Sequence, residues 1–341
     1  MISILARFTI LVGSRRLLAA TIFLYLVLWI LALALAWIAP LDFILLLVFG
    51  LFLLLLNRRG ASLRLRKWQA RSLDFADNPR FVQVQTLLPI LSARLDLSMP
   101  PLAVYPSPEI GYQIALGQTL CLSDGGLTTT IGMASSEQLD ETLILGHELA
   151  HLALEHGRST LILAFCSLTN RLLVLGMLFG LFSAGFYENY WAVLPFLTLG
   201  GWFLTLDLAN LVSYAEEFEA DRFCARAFGD GPALAHTINL LYYQNAAIVT
   251  GLTKDWVSRR RVIKILEEVT AVEPTVAFIN SDSQTFNAKE FLKTLKIFDQ
   301  RPRDLWTSFM IGNRAFANRL RYGFLESHPS CTERWRALQK P

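Results

Sequence analysis

Residues 143–157 read LILGHELAHLALEHG. The stretch holds three of the chain's five histidines and two glutamates, amid Leu, Ile, Ala and Gly. His147 and His151 are four residues apart, so on a helix both side chains lie on one face. Two neutral imidazoles at that spacing can grip one zinc ion, with Glu148 placed to deprotonate the water that the ion activates. Zinc brings the pKa of such a water toward about 7, so a carboxylate suffices as base. Polar side chains on a greasy helix are costly unless something satisfies them, and a metal with its water does so. The bland reading is a pair of histidines on a helix surface near a membrane.

A catalytic zinc usually takes three protein ligands and leaves one position open. His156 lies five residues past His151, about 140° around an unbroken helix, so it points off the ligand face. It is expected as a capping histidine where Gly157 stops the helix. Glu155 is nearer the right face but close in sequence to the pair. A second acidic cluster lies in SYAEEFEADRFCARAFG, residues 213–229. Glu217 and Asp221 are four apart on an expected helix. One can bind zinc while the other accepts a hydrogen bond from a ligating imidazole. Alone, the cluster reads equally as a solvated face partnered by Arg222 and Arg226.

The chain is 53% hydrophobic and 17% charged over 341 residues, which points to membrane spans. Residues 17–39 are uncharged and mostly apolar, enough for a hydrocarbon core of roughly 30 Å. A shorter apolar run, 43–56, follows after Pro40 and Asp42. Further apolar runs cover 160–182, broken by Asn170 and Arg171, and 191–212, broken by Asp207. Four spans in two hairpins are expected, the pairing of Arg171 with Asp207 being one way to hold the second hairpin in register. Arg7, Arg15, Arg16, the basic run Arg58–Arg71 and Arg158 flank the spans on one side, which puts both termini and the polar parts in the cytoplasm. The basic run also suits anionic lipid headgroups. A net charge of +3 gives no sign of nucleic-acid binding. The cysteines (Cys121, Cys166, Cys224, Cys331) lack metal-like spacing and are expected as reduced thiols.

Among the polar parts, residues 79–95 have helical periodicity, with Pro89 a point where that helix can kink. Residues 102–105 read as a strand. Residues 110–117 and 119–126 read as two more, joined by a turn. Ser135 and Gln138 form a capping-box pattern ahead of the histidine helix. Helices are expected over 215–228, 232–244, 257–269, 289–298 and 304–325, with 275–288 as loop. The resulting organisation is an N-terminal hairpin (17–56), a first catalytic part (60–158), a second hairpin (160–212) and a second catalytic part (213–341).

The order H-E-L-A-H, apolar hairpin, E-F-E-A-D resembles the HtpX-type membrane zinc metallopeptidases, relatives of the CAAX prenyl proteases. The C-terminal SHPSCTERWRAL, residues 327–338, is similar to that family's H-P-P-x-x-x-R segment. The resemblance implies that Glu217 is the third zinc ligand beside His147 and His151, and that Asp221 stands behind a ligand. It implies catalytic roles for Glu148 as base and for His328 and Arg334 near substrate and oxyanion. The implied fold is mainly α and membrane-integral, with four transmembrane helices and a cytoplasmic α+β zincin-like domain carrying a small sheet. The implied function is zinc-dependent endoproteolysis of membrane or misfolded proteins, in protein quality control at a bacterial inner membrane. Two alternatives are a CAAX-type prenyl-protein protease and a zinc-binding scaffold or chaperone that cleaves nothing. Here Ser213-Tyr214 stands where the family often has Ser-Arg, and SPEIGYQIALG (107–117) replaces a substrate-pairing strand with an Asn. If both helices run unbroken into the bilayer, the zinc sits about one to two helical turns above its surface.

Overall fold

The computed structural model describes residues 4–36, 40–107, 111–128, 140–159, 162–163, 165–166, 193–252, 267, 280–281, 284–285 and 328–339. The expected helices 257–269, 289–298 and 304–325, the apolar run 160–182 with Arg171, residues 183–190 that join it to the next run, and the Ser135–Gln138 pattern lie wholly or almost wholly outside these residues. The N-terminal helices are α1 (Ile4–Val12), α2 (Ser14–Ala36) and α3 (Pro40–Arg71), followed by a 3₁₀ turn over Ser72–Phe75. Next come α4 (Pro79–Arg94), β1 (Leu102–Tyr105), β2 (Tyr112–Ala115), β3 (Thr119–Ser123), α5 (Asp124–Thr128) and α6 (Glu141–Ala153). Beyond them run α7 (Val193–Phe228), α8 (Gly231–Leu252), the two-residue strands β4 (Asn280–Ser281) and β5 (Gln284–Thr285), and α9 (Cys331–Leu338). The fold is mainly helical with a small three-stranded sheet, as the periodicities imply.

Local chemistry explains the boundaries. Asn78 caps α4, its side chain accepting from the Arg80 and Phe81 amides, and Pro79 fits the first helical position, where no N–H is needed. The helix runs on through Pro89 and buries Phe81, Val84, Leu88 and Leu91 on one stripe. In the sheet, order β1-β3-β2, β3 pairs parallel with β1 and antiparallel with β2. The strand expected to reach 126 ends at Ser123. Asp124 turns the chain into α5 instead, accepting from the Ser107 amide at 2.8 Å and pairing with Arg71 at 2.5 Å.

Helix α6 sits between two cores. Leu145 and Leu149 face Leu88, Val104, Leu120 and Leu122 of α4 and the sheet. Leu143 and Ala150 face Ala220, Cys224, Leu234 and Ile238 of α7 and α8, with Leu338 of α9. Both sides of this helix are dry, and His147, Glu148 and His151 share the stripe between them. A third cluster joins α2 to α7 through Leu17, Leu211, Val212 and Ala215.

Helix α7 is continuous for 36 residues, so the apolar stretch before residue 212 and the acidic cluster after it belong to one rod, as the continuity argument requires. Helix α6 departs from that argument. It ends at Ala153, and Glu155 takes a left-handed φ of 59°, after which 156–159 are helical again. Gly157 therefore lies beyond the break rather than stopping the helix. A Cβ on it would come 2.4 Å from the Cα of Gly117, itself at φ +69° in the β2–β3 turn. Only two glycines let these backbones meet.

Among the described residues, no single helix is long and apolar enough to cross a membrane. Ile4–Val12 with Ser14–Ile30 passes as a pair bent by 91°.

Candidate metal centre

The histidine helix is started by Asp140, whose carboxylate accepts from the amides of Thr142 and Leu143 at 2.9 and 3.3 Å. That cap places the N-terminus at Glu141. Both cores then fix the helix rotation, leaving His147, Glu148 and His151 toward α7. On α7, Glu217 and Asp221 share one face by their four-residue spacing. His147 Nε2 and His151 Nε2 lie 3.2 Å apart. Glu217 Oε2 is 3.5 Å from the first and Oε1 is 3.7 Å from the second. One ligand atom from each of the three residues lies within 4.8 Å of the others. Tetrahedral zinc with bonds of about 2.0–2.1 Å separates its ligand atoms by about 3.4 Å, so the three residues fit such an ion.

Behind the three candidate ligands stands a buried acid–base network. Asp221, 1% exposed, has Oδ1 3.0 Å from His147 Nδ1. The Arg334 guanidinium donates to both Asp221 oxygens, from Nη2 at 2.6 Å and Nε at 2.8 Å, and its Nη1 lies 2.9 Å from Glu217 Oε2. Burial pushes both carboxyls up, but Arg334 and His147 more than offset it and hold them below the ordinary carboxylate range. Burial drives His151 down to about 3, which keeps its ring neutral with a lone pair for a cation. Burial pulls His147 down too, yet Asp221 and Glu217 hold it at about 9. Glu148 is pushed up to about 7 by burial, with Glu217 adding to the rise while His147 and Arg334 pull the other way.

The structure therefore brings together His147, Glu148, His151, Glu217, Asp221, Arg334 and His328, with two rearrangements. His328 lies at the rim, its side chain 59% exposed and Nε2 3.6 Å from Glu217 Oε1. Arg334, expected beside an oxyanion, is 4% exposed and turned onto the two acids. Ser330, where the resembled family has its second proline, caps α9 in a reciprocal capping box with Glu333. Tyr214, standing where that family often has Arg, hydrogen-bonds Glu333 and so ties α7 to the same cap.

Glu155 is turned outward and pairs with Arg158 at 2.8 Å. His156 is the larger correction. Rather than rotating away, it folds back across the break, is 5% exposed, and brings Nδ1 to 2.9 Å from His151 Nδ1. The 140° argument assumed a continuous helix, and the left-handed Glu155 removes that premise. Glu219 and Ser14, its neighbours beyond, carried no signal that spacing alone could reveal.

Comparison with known families matches residues 121–341 to peptidase family M48, which agrees with the HtpX-type motifs. No curated protein and no solved structure matches the chain. The match covers well over half of the sequence and includes the histidine helix, α7 and α9: the chain belongs to peptidase family M48, a family of metallopeptidases.

Proposed function

We propose that this chain is a membrane-bound zinc endopeptidase that hydrolyses membrane or membrane-adjacent proteins as part of protein quality control. The observation that carries the reading is the approach of His147, His151 and Glu217 to a separation that suits one tetrahedral cation. When bound, zinc supplies a Lewis acid for the scissile carbonyl and acidifies water. Glu148 takes the proton of the attacking water and passes it to the leaving amine. Its half-buried carboxyl, pushed up to about 7, is matched to both halves of that transfer near neutrality. Asp221 takes the His147 Nδ1–H, which leaves Nε2 as the nitrogen that would face a cation when its proton is displaced. Arg334 holds Asp221 and Glu217 in place. His328, exposed at the rim with Nε2 3.6 Å from Glu217 Oε1, is the proposed donor to the tetrahedral oxyanion.

Membrane attachment is supported by the apolar N-terminal pair and by exposed Phe23, Leu26 and Ile30 on α2. The carriage of Glu217 on the same rod as the apolar stretch 193–212 adds to it. The cytoplasmic face follows from the flanking Arg and Lys residues.

The test uses the full chain purified in detergent, with metal content measured and an unfolded casein-like protein as substrate. Glu148→Gln is expected to keep the metal and lose cleavage by at least about a hundredfold, the scale of a general base. A Glu148→Gln protein that cleaves as fast as the parent sinks the peptidase reading. A parent that holds zinc and cleaves nothing supports a scaffold instead.

A further inference from the structure

Each ligand imidazole needs a partner on its other nitrogen to fix ring and tautomer. His147 has Asp221. Among the described residues no carboxylate meets Nδ1 of His151; it has His156, Nδ1 to Nδ1 at 2.9 Å. Beyond His156 the contacts continue in one direction. His156 Nε2 lies 3.4 Å from Glu219 Oε2. Glu219 in turn accepts from the Ser14 hydroxyl at 2.6 Å and from the Ser14 amide at 2.8 Å. Ser14 is 4% exposed and opens α2, where an anion is favoured by the free amides and the helix dipole. Gly13, at φ +81°, makes the corner between α1 and α2, and a Cβ on it would lie 3.4 Å from Glu219 Oε1.

The proton directions close without conflict. A His151 ring that offers Nε2 to a cation carries its hydrogen on Nδ1 and donates it to His156 Nδ1. His156 then carries its hydrogen on Nε2, which lies in ion-pair range of Glu219 Oε2 at 3.4 Å though outside hydrogen-bond geometry, while Glu219 accepts from Ser14. The helix geometry of E-E-F-E-A-D permits this: Glu217 and Asp221 occupy one face of α7, while Glu219, two residues from each, looks to the opposite side.

We propose that Ser14, Glu219 and His156 form a positioning relay that orients His151 for the metal from the α1–α2 corner. The proposal rests on His151 being a ligand. It assigns residue 14, outside the matched span 121–341, to the working centre. The three relay residues are positioning residues. They act through the ring of His151.

The experiment follows zinc retention of the full chain in detergent against a chromogenic chelator, with thermal unfolding recorded for every variant. Glu219→Ala and His156→Ala are each expected to weaken zinc binding about 10–100-fold, the usual cost of losing such a partner. The double variant His156→Ala/Glu219→Ala should be no worse than the weaker single, because both cut one chain of contacts. Ser14→Ala, which keeps the amide, should show a smaller loss in the same direction. For cleavage, kcat should fall with KM unchanged. His156→Gln, whose side-chain carbonyl can accept from His151 Nδ1–H, should recover part of the loss seen in His156→Ala. If an alanine variant unfolds, His156→Gln and Ser14→Ala carry the comparison. Folded Glu219→Ala with the parent's zinc affinity overturns the relay, as do losses that add in the double variant. His147→Ala separates the two readings. Zinc held normally by that variant refutes the metal site, whereas zinc lost there but kept by Glu219→Ala refutes only the relay.

Discussion

Arg334 is the side chain on which the centre most depends for charge balance. Among the described residues it is the guanidinium that faces both Asp221, buried, and Glu217, partly buried, and it meets both oxygens of Asp221. Removing one partner from such a set leaves uncompensated buried charge at a cost of about 3–5 kcal/mol. Arg334→Ala is therefore expected to lower the unfolding midpoint sharply in differential scanning calorimetry. Arg334→Lys should recover little, because an ammonium cannot meet two oxygens in a planar fork. Cys121 gives a second residue-scale test. It lies fully buried in β3, and burial pushes its thiol up to about 12. The thiolate is the reactive form. Native alkylation by iodoacetamide should be undetectable near pH 7 and rise about tenfold per pH unit until the protein unfolds, whereas denatured protein should react at once. At this scale the reactive residues were legible where one helical period connects them, as for His147 with His151 and Glu217 with Asp221. The fork of Arg334 on Asp221 was not, because 113 residues separate them and no spacing rule reaches that far. His156 was misplaced for a local reason: one left-handed residue, Glu155, breaks the periodicity that the rotation argument needs.

Elements were easier to read than their ends. The stripes of α4 and α6, the strand β1 and the antiparallel pair β2–β3 follow from apolar periodicity and turn residues. Ends are decided by single capping side chains, so Asp140 starts α6 and Asp124 converts a strand end into α5. The meeting of Gly157 with Gly117 was invisible beforehand, since each glycine alone reads as a loop residue. It has a measurable consequence. Gly157→Ala puts a methyl into the opposing backbone, and overpacking of that kind costs about 1–3 kcal/mol. Chemical denaturation should show that loss for Gly157→Ala. Alanine at Gly229 puts its methyl where no atom lies within 4 Å, so any loss there reports the φ of +79° alone. Equal stability of Gly157→Ala and the parent would mean that the restart at residue 156 does not lean on the β2–β3 turn.

Across the whole molecule, donors from separate helices meet only in the folded state. A cation held by α6 and α7 should therefore stabilise the fold by mass action, about 2.7 kcal/mol at a free concentration one hundred times its dissociation constant. Titrating zinc into metal-stripped protein and following the unfolding midpoint checks this. A midpoint that ignores zinc argues against a site shared between the two helices. The membrane arrangement is less directly readable than composition suggests. The apolar runs are plain, but the first of them meets a 91° corner at Gly13, and that corner is bonded to α7. The path from Ser14 through α6 and α7 to Arg334 also bears on synthesis. A ribosome delivers the two imidazoles before Glu217, and the guanidinium that restrains the carboxylates later still. A chain that lacks α7 thus holds only the two imidazoles of the candidate centre, and one that lacks α9 holds its carboxylates without their guanidinium.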